Sequence, residues 1–157
     1  MKKWMVFSVF IMVLVLAAAC GNEANDSPQN DEVVSGTADE KAVTLKLLES
    51  ETTGEYLADS RGMALYFFKK DKSGKSNCTD ECLKKWPPFM ERDFAVPEGF
   101  KEKDFGTIKR EDTGEEQVTY KGFPLYYFVN DKSAGDVNGE GMKNVWYIVN
   151  NKTVFPK

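Results

Sequence analysis

The sequence predicts an all-β domain: two tandem three-stranded meanders packed as a small barrel or sandwich, with one short helix near residues 78–85. Two observations lead there. From residue 43 onward, short alternating and β-branched runs are broken by Gly-containing turns, the period-2 signature of half-buried strands. In addition, the stretch GMALYFFKKDKS at 62–73 returns 60 residues later as GFPLYYFVNDKS at 122–133. Laid without gaps, residues 51–86 and 111–146 share 12 identities, among them Gly54/Gly114, Gly62/Gly122 and Trp86/Trp146. Both turn glycines fall in register, so the duplicated unit is a whole meander, about 43–86 and 103–146.

Taken in order, residues 1–19 are a separate element. Lys2 and Lys3 precede an apolar run too short for a comfortable membrane span and ending in small residues, the layout of a signal peptide. Residues 20–42 begin at Cys20, hold no aromatic residue, and carry Glu23, Asp26, Asp31, Glu32, Asp39 and Glu40 against Lys41 alone. Such a segment buries too little apolar surface to offset its ordering entropy and predicts a disordered acidic tether. Most of the acidic excess resides there, which leaves residues 43–157 near neutral and without the clustered basic excess of a nucleic-acid binder.

Within 43–157, a single domain, Val43–Leu48, Glu55–Asp59 and Met63–Phe68 are the expected strands of the first meander. Tyr66 and Phe68 share one strand face while Leu65 and Phe67 share the other, so this strand is expected to be central and buried on both sides. Asp71 and Asp131 follow the duplicated strand and are expected to cap Asx-type turns. A helix over Cys78–Lys85 is expected from Ser76 or Asn77 as cap, acids in its first turn, lysines in its last, and Pro87 and Pro88 as stops. Residues 87–104 form an irregular connector pinned by Phe89, Phe94 and Phe100. Beyond the second meander, Val145–Val149 and Thr153–Phe155 are the arms of a closing hairpin around Asn150 and Asn151.

Three features resemble known families. The small residues before Cys20 and Gly21 resemble the lipobox of bacterial lipoproteins, although the large aliphatic Leu16 stands four residues before the cysteine instead of three. That resemblance implies lipidation of Cys20 (palmitate), which makes it the mature N-terminus and anchors the chain to the outer face of a bacterial cell membrane. The Tyr66-x-Phe68-x-x-Asp71 and Tyr126-x-Phe128-x-x-Asp131 motifs resemble the Tyr-x-aromatic-x-x-Asp signature of the secreted-repeat family of predicted bacterial lipoproteins. Cys78, Cys82, Trp86 and the Gly-rich loop 135–141 agree with it, over about residues 45–150. This resemblance implies fold and export; the family has no established activity to lend.

Candidate functional residues follow from chemistry. Lipidation of Cys20 leaves Cys78 and Cys82 as an even pair, and exported pairs favour a disulfide. At i and i+4 on a helix their Cα atoms lie about 6 Å apart, within bridging range. A structural staple is the first reading, with a thiol-redox role and a thiolate metal site as alternatives. Tyr66, Phe68, Asp71, Trp86, Tyr126, Phe128, Asp131 and Trp146 are core and turn residues on one reading and the lining of a ligand cleft between the repeats on another. Loop 131–141 suggests calcium by its alternating oxygens, but alignment of Gly139 with the EF-hand glycine puts Ala134 and Val145 at ligand positions, so no metal or other cofactor is expected. The chain has no histidine, which excludes Ser-His-Asp and Cys-His nucleophiles, and no phosphate-binding Gly loop occurs. A non-catalytic envelope binding or structural module is therefore expected, with an envelope thiol-redox or electron-transfer accessory protein as its rival.

Overall fold

The computed structural model describes residues 43–157. The signal peptide, Cys20 and the acidic tether lie outside the described residues. The chain runs β1 (Val43–Thr44), β2 (Lys46–Ser50), β3 (Gly54–Ala58), β4 (Tyr66–Phe68), α1 (Glu81–Lys85), β5 (Phe94–Ala95), β6 (Phe105–Lys109), β7 (Glu116–Tyr120), β8 (Phe123–Tyr126) and β9 (Trp146–Ile148). Mostly β-strands with one short helix, the domain is all-β as expected, but its sheets do not close into a barrel.

The main sheet has five antiparallel strands in the order β6-β7-β8-β4-β9. β2 and β3 form a separate antiparallel hairpin, and β1 and β5 a two-residue parallel pair. β4 therefore occupies an interior position, and its two faces feed two cores. Leu65 and Phe67 join Leu45, Leu57, Phe89 and Leu125 in one; Tyr66 joins Tyr126, Trp86, Phe128 and Trp146 in the other, with Phe68 packed against it. This split is the strand's period-2 alternation made physical.

The second meander is continuous (β6-β7-β8), whereas the first is divided. Its expected third strand, Met63–Phe68, changes partner midway. Asp59 N–H donates to Met63 O and Leu65 N–H to Leu57 O, within the hairpin, but Tyr66–Phe68 pair with β8 and β9. A tight turn precedes it at Gly62, whose φ of +89° matches +84° at Gly122; glycine adopts this conformation without the Cβ clash.

Other boundaries shift for identifiable reasons. The expected strand Val43–Leu48 breaks at Leu45, whose side chain is 1% exposed and whose N–H donates to Ala95 O. The helix is shorter than expected and has no side-chain cap. Both candidate caps are engaged elsewhere: the Ser76 hydroxyl bonds Tyr126 and Cys78, and the Asn77 side chain donates to Lys70 O. The closing hairpin is replaced by a turn at Asn150, where Thr153 N–H donates to Asn150 O. Phe155 is held by its ring, packed on Phe67 and Phe123 at 4.8 and 4.5 Å, and β9 pairs with β4 instead.

Candidate functional site

β4 and β8 are the two copies of the duplicated strand, and they pair antiparallel with Tyr66 opposite Tyr126 and Phe67 opposite Leu125. Each residue opposes the counterpart of its mirror position, so a local pseudo-twofold axis passes through the Tyr66–Tyr126 pair. The interactions around it come in reciprocal sets. Tyr66 OH donates to Asp131 Oδ2 and Tyr126 OH to Asp71 Oδ2, each at 2.7 Å. Every tyrosine thus bonds the aspartate of the other repeat. The remaining oxygens accept backbone amides, Asp71 Oδ1 from Asn77 at 2.6 Å and Asp131 Oδ1 from Asn138 at 2.9 Å. The expected Asx-type turns are thus replaced by longer loop clasps closed by the opposing tyrosine.

Burial governs the acid–base behaviour of this set. It pushes the Asp71 carboxyl up to about 6, opposed by the Asn77 amide, the Tyr126 hydroxyl and Arg110. Burial raises Asp131 as well. Burial first, and then the facing aspartates, lift the Tyr66 and Tyr126 hydroxyls above the ordinary phenol range. Both phenols stay protonated near neutrality and serve as donors. With both carboxylates engaged, the motif holds the two repeats together and presents no poised base.

The aromatic members form a second reciprocal set. Trp86 and Trp146 stack at 3.8 Å with 4° between their planes. Trp86 stacks on Phe128 and Trp146 on Phe68, each at 4.3 Å. A ladder of four rings results, Phe68–Trp146–Trp86–Phe128, in which each tryptophan contacts the phenylalanine of the other repeat. Backbone bonds hold both ends alike: Lys69 N–H donates to Val145 O and Val129 N–H to Lys85 O.

A cleft of about 580 Å³ opens on this ladder, lined by all four rings together with Cys82, Met142, Lys70, Lys85 and Lys143. Its volume lies in the range of small-molecule sites. The eight motif residues are therefore brought together, but in two roles: the Tyr–Asp pairs lie buried as the tie, and the Trp–Phe ladder lines the cleft. Cys78 and Cys82 are joined with Cα atoms 5.3 Å apart. Cys78 is fully buried and its carbonyl accepts from the Arg110 guanidinium at 2.7 Å, whereas Cys82 is half-buried at the cleft.

Several residues of the site were not singled out in the sequence. The three lysines look like ordinary surface positions. Lys143 and Asn144 have φ of 54° and 58°, a conformation that Asn tolerates but that costs roughly 1–2 kcal/mol at Lys143. Gly139 makes room for the site: a Cβ there would stand 2.8 Å from Trp86 Cη2 and 2.9 Å from the Tyr66 ring. Arg110, 3% exposed, also donates to Ser76, Gln117 and Asp112. The acids of loop 131–141 are engaged by backbone, Asp136 by Lys132 and Ser133 and Glu140 by Ile148. Among the described residues no group of three His, Cys, Asp or Glu is placed to hold a metal ion.

The family model for a secreted repeat of unknown function matches twice, over residues 49–90 and 106–150. The chain belongs to this secreted-repeat lipoprotein family. The two matched segments are the two repeats that meet at the Tyr66–Tyr126 pair, so the domain joins two copies of the family's unit side by side in one sheet. Membership agrees with export, and the family description names no activity. No curated protein and no solved structure matches the chain.

Proposed function

We propose that this protein is a non-catalytic binding module of the bacterial envelope, anchored through lipid on Cys20 to the outer face of the cell membrane, with the cleft on the aromatic ladder as its ligand site. One observation carries the reading: the duplication brings Phe68, Trp86, Phe128 and Trp146 to one open cleft of ligand size. Engagement of Asp71 and Asp131 by tyrosines supports binding over catalysis, since it leaves neither acid free for proton transfer.

The test is a screen of aromatic fragments followed by the indole N–H resonances of Trp86 and Trp146. Binding fragments are expected to shift both signals and to lose affinity at least fivefold on Phe68→Ala. Fragments that bind while these resonances stay still, or that ignore Phe68→Ala, would place the ligand elsewhere.

A second reading has its own observation. Cys82 faces the cleft while Cys78 is buried. In thiol exchange, a partner thiolate would attack Cys82 Sγ, form a mixed disulfide there, and release Cys78 as the thiolate. A reduction potential well above about −300 mV would favour this redox role, and one below it would leave the bond a staple.

A further inference from the structure

The ladder cleft also carries charge that the structural role of the motif does not use. Lys70, Lys85 and Lys143 line it and are exposed, and among the described residues none of them is in an ion pair. The acid in the lining, Glu81, is already paired with Lys84 at 2.5 Å. A cationic rim is thus set into a chain whose formal net charge is −4.

Duplication does not account for these lysines. The offset of 60 puts Asn130 opposite Lys70, Val145 opposite Lys85 and Leu83 opposite Lys143. All three charges therefore break the symmetry that the rings obey. Two of them converge: the Lys69–Val145 backbone bond lays the turn that carries Lys70 beside the segment that carries Lys143. Lys143 also sits on a left-handed backbone, followed by a second left-handed residue, Asn144. Strain of this kind gathers at ligand sites, where the surrounding structure sustains it. At the same end of the cleft the ring ladder terminates in Phe68, which is half-buried and stacks on Trp146. Among the described residues no further ring continues the ladder beyond Phe68.

We propose that the cleft takes a flat aromatic anion, its ring continuing the ladder at Phe68 and its acidic group held by Lys70 and Lys143. This assignment rests on the cleft being a ligand site and adds the ligand's chemical class. A ring supplies the apolar face that the ladder lacks at this end, and an anionic group meets two ammonium groups that have no ion-pair partner among the described residues.

The test titrates the full chain with naphthalene-2-sulfonate, its neutral relative naphthalene-2-methanol, and octanesulfonate, an anion without a ring. The reporters are the indole resonances of Trp86 and Trp146. The aromatic sulfonate is expected to bind about tenfold tighter than either relative. Its affinity should fall about tenfold in Lys70→Gln/Lys143→Asn, while the neutral compound changes less than twofold. Asn tolerates the left-handed backbone, and unchanged thermal unfolding of the variant checks the fold.

Equal affinity for the sulfonate and the neutral compound, or sulfonate binding indifferent to both lysines, would overturn the anionic assignment and leave the cleft standing as a site. Equal affinity for octanesulfonate would overturn the aromatic one. Failure of all three compounds to move either indole signal at millimolar concentration would overturn this proposal. Whether the cleft reading itself also falls is then decided by the fragment screen.

Discussion

Across the Tyr66–Tyr126 pair the two repeats show each other the same residues: tyrosine to aspartate in both directions, tryptophan to phenylalanine in both directions. Facing the cleft they differ. Cys82 stands where the other copy has Met142, Lys70 opposite Asn130, and Lys143 opposite Leu83. A residue that contacts its own counterpart's neighbours must suit both halves at once, so change there disturbs two environments. The other lining positions of the cleft carry no such double constraint, and there the copies have diverged. Shared residues hold the fold and supply the rings of the cleft; divergent ones make up the rest of its lining.

The strongest way to break this comparison is to remove a ring from the middle of the ladder. Trp86→Ala should cost about 3–5 kcal/mol in urea unfolding and erase the near-UV signal of the stacked pair. Trp146→Ala should behave alike, because each tryptophan touches the other and one phenylalanine. If one variant lost less than about 1 kcal/mol, the ladder would not be a shared element.

A smaller effect is expected from proton linkage at Asp71. Its folded-state value of about 6 exceeds the ordinary value near 4, so the native state binds more protons than the unfolded state between those limits. Stability from this group is therefore full below pH about 4 and is lost as pH rises through about 6. The two-unit difference corresponds to about 3 kcal/mol. Asp71→Asn should flatten the stability profile over this window, as read by unfolding between pH 4 and 8. An unchanged slope would show that the burial of Asp71 is not felt as charge.

The smallest effect is assigned to the asymmetric disulfide. Chain entropy for so short a loop predicts about 2 kcal/mol or less on Cys78→Ser/Cys82→Ser. The two indole resonances should keep their positions apart from local shifts near Cys82, and collapse of the ladder signal would make the bond essential to the symmetric core.

Much of this arrangement was legible in the sequence. Alternation placed Leu65 and Phe67 on one face and Tyr66 and Phe68 on the other, and the two faces feed separate cores. The 60-residue offset showed that strand copies exist, and i, i+4 spacing allowed the Cys78–Cys82 bond. What stayed hidden was non-local. Nothing near Asp71 announces that its partner is Tyr126, because local chemistry favours an Asx-type turn and the clasp comes from 55 residues away. Likewise Met63–Phe68 has one strand pattern but two sets of partners, and periodicity cannot show a change of sheet. The cleft lysines have no pattern at all; only the fold brings them to the cleft that the rings line.

The central claim, that each motif copy is completed by the other, is tested most directly by a pair of double-mutant cycles in urea unfolding. Tyr66→Phe with Asp131→Ala crosses the repeats, and Tyr66→Phe with Asp71→Ala stays within one. The cross-repeat pair should show a coupling of about 1 kcal/mol or more, and the within-repeat pair less than about 0.5 kcal/mol. Strong coupling of Tyr66 to Asp71 with none to Asp131 would contradict the reciprocal tie.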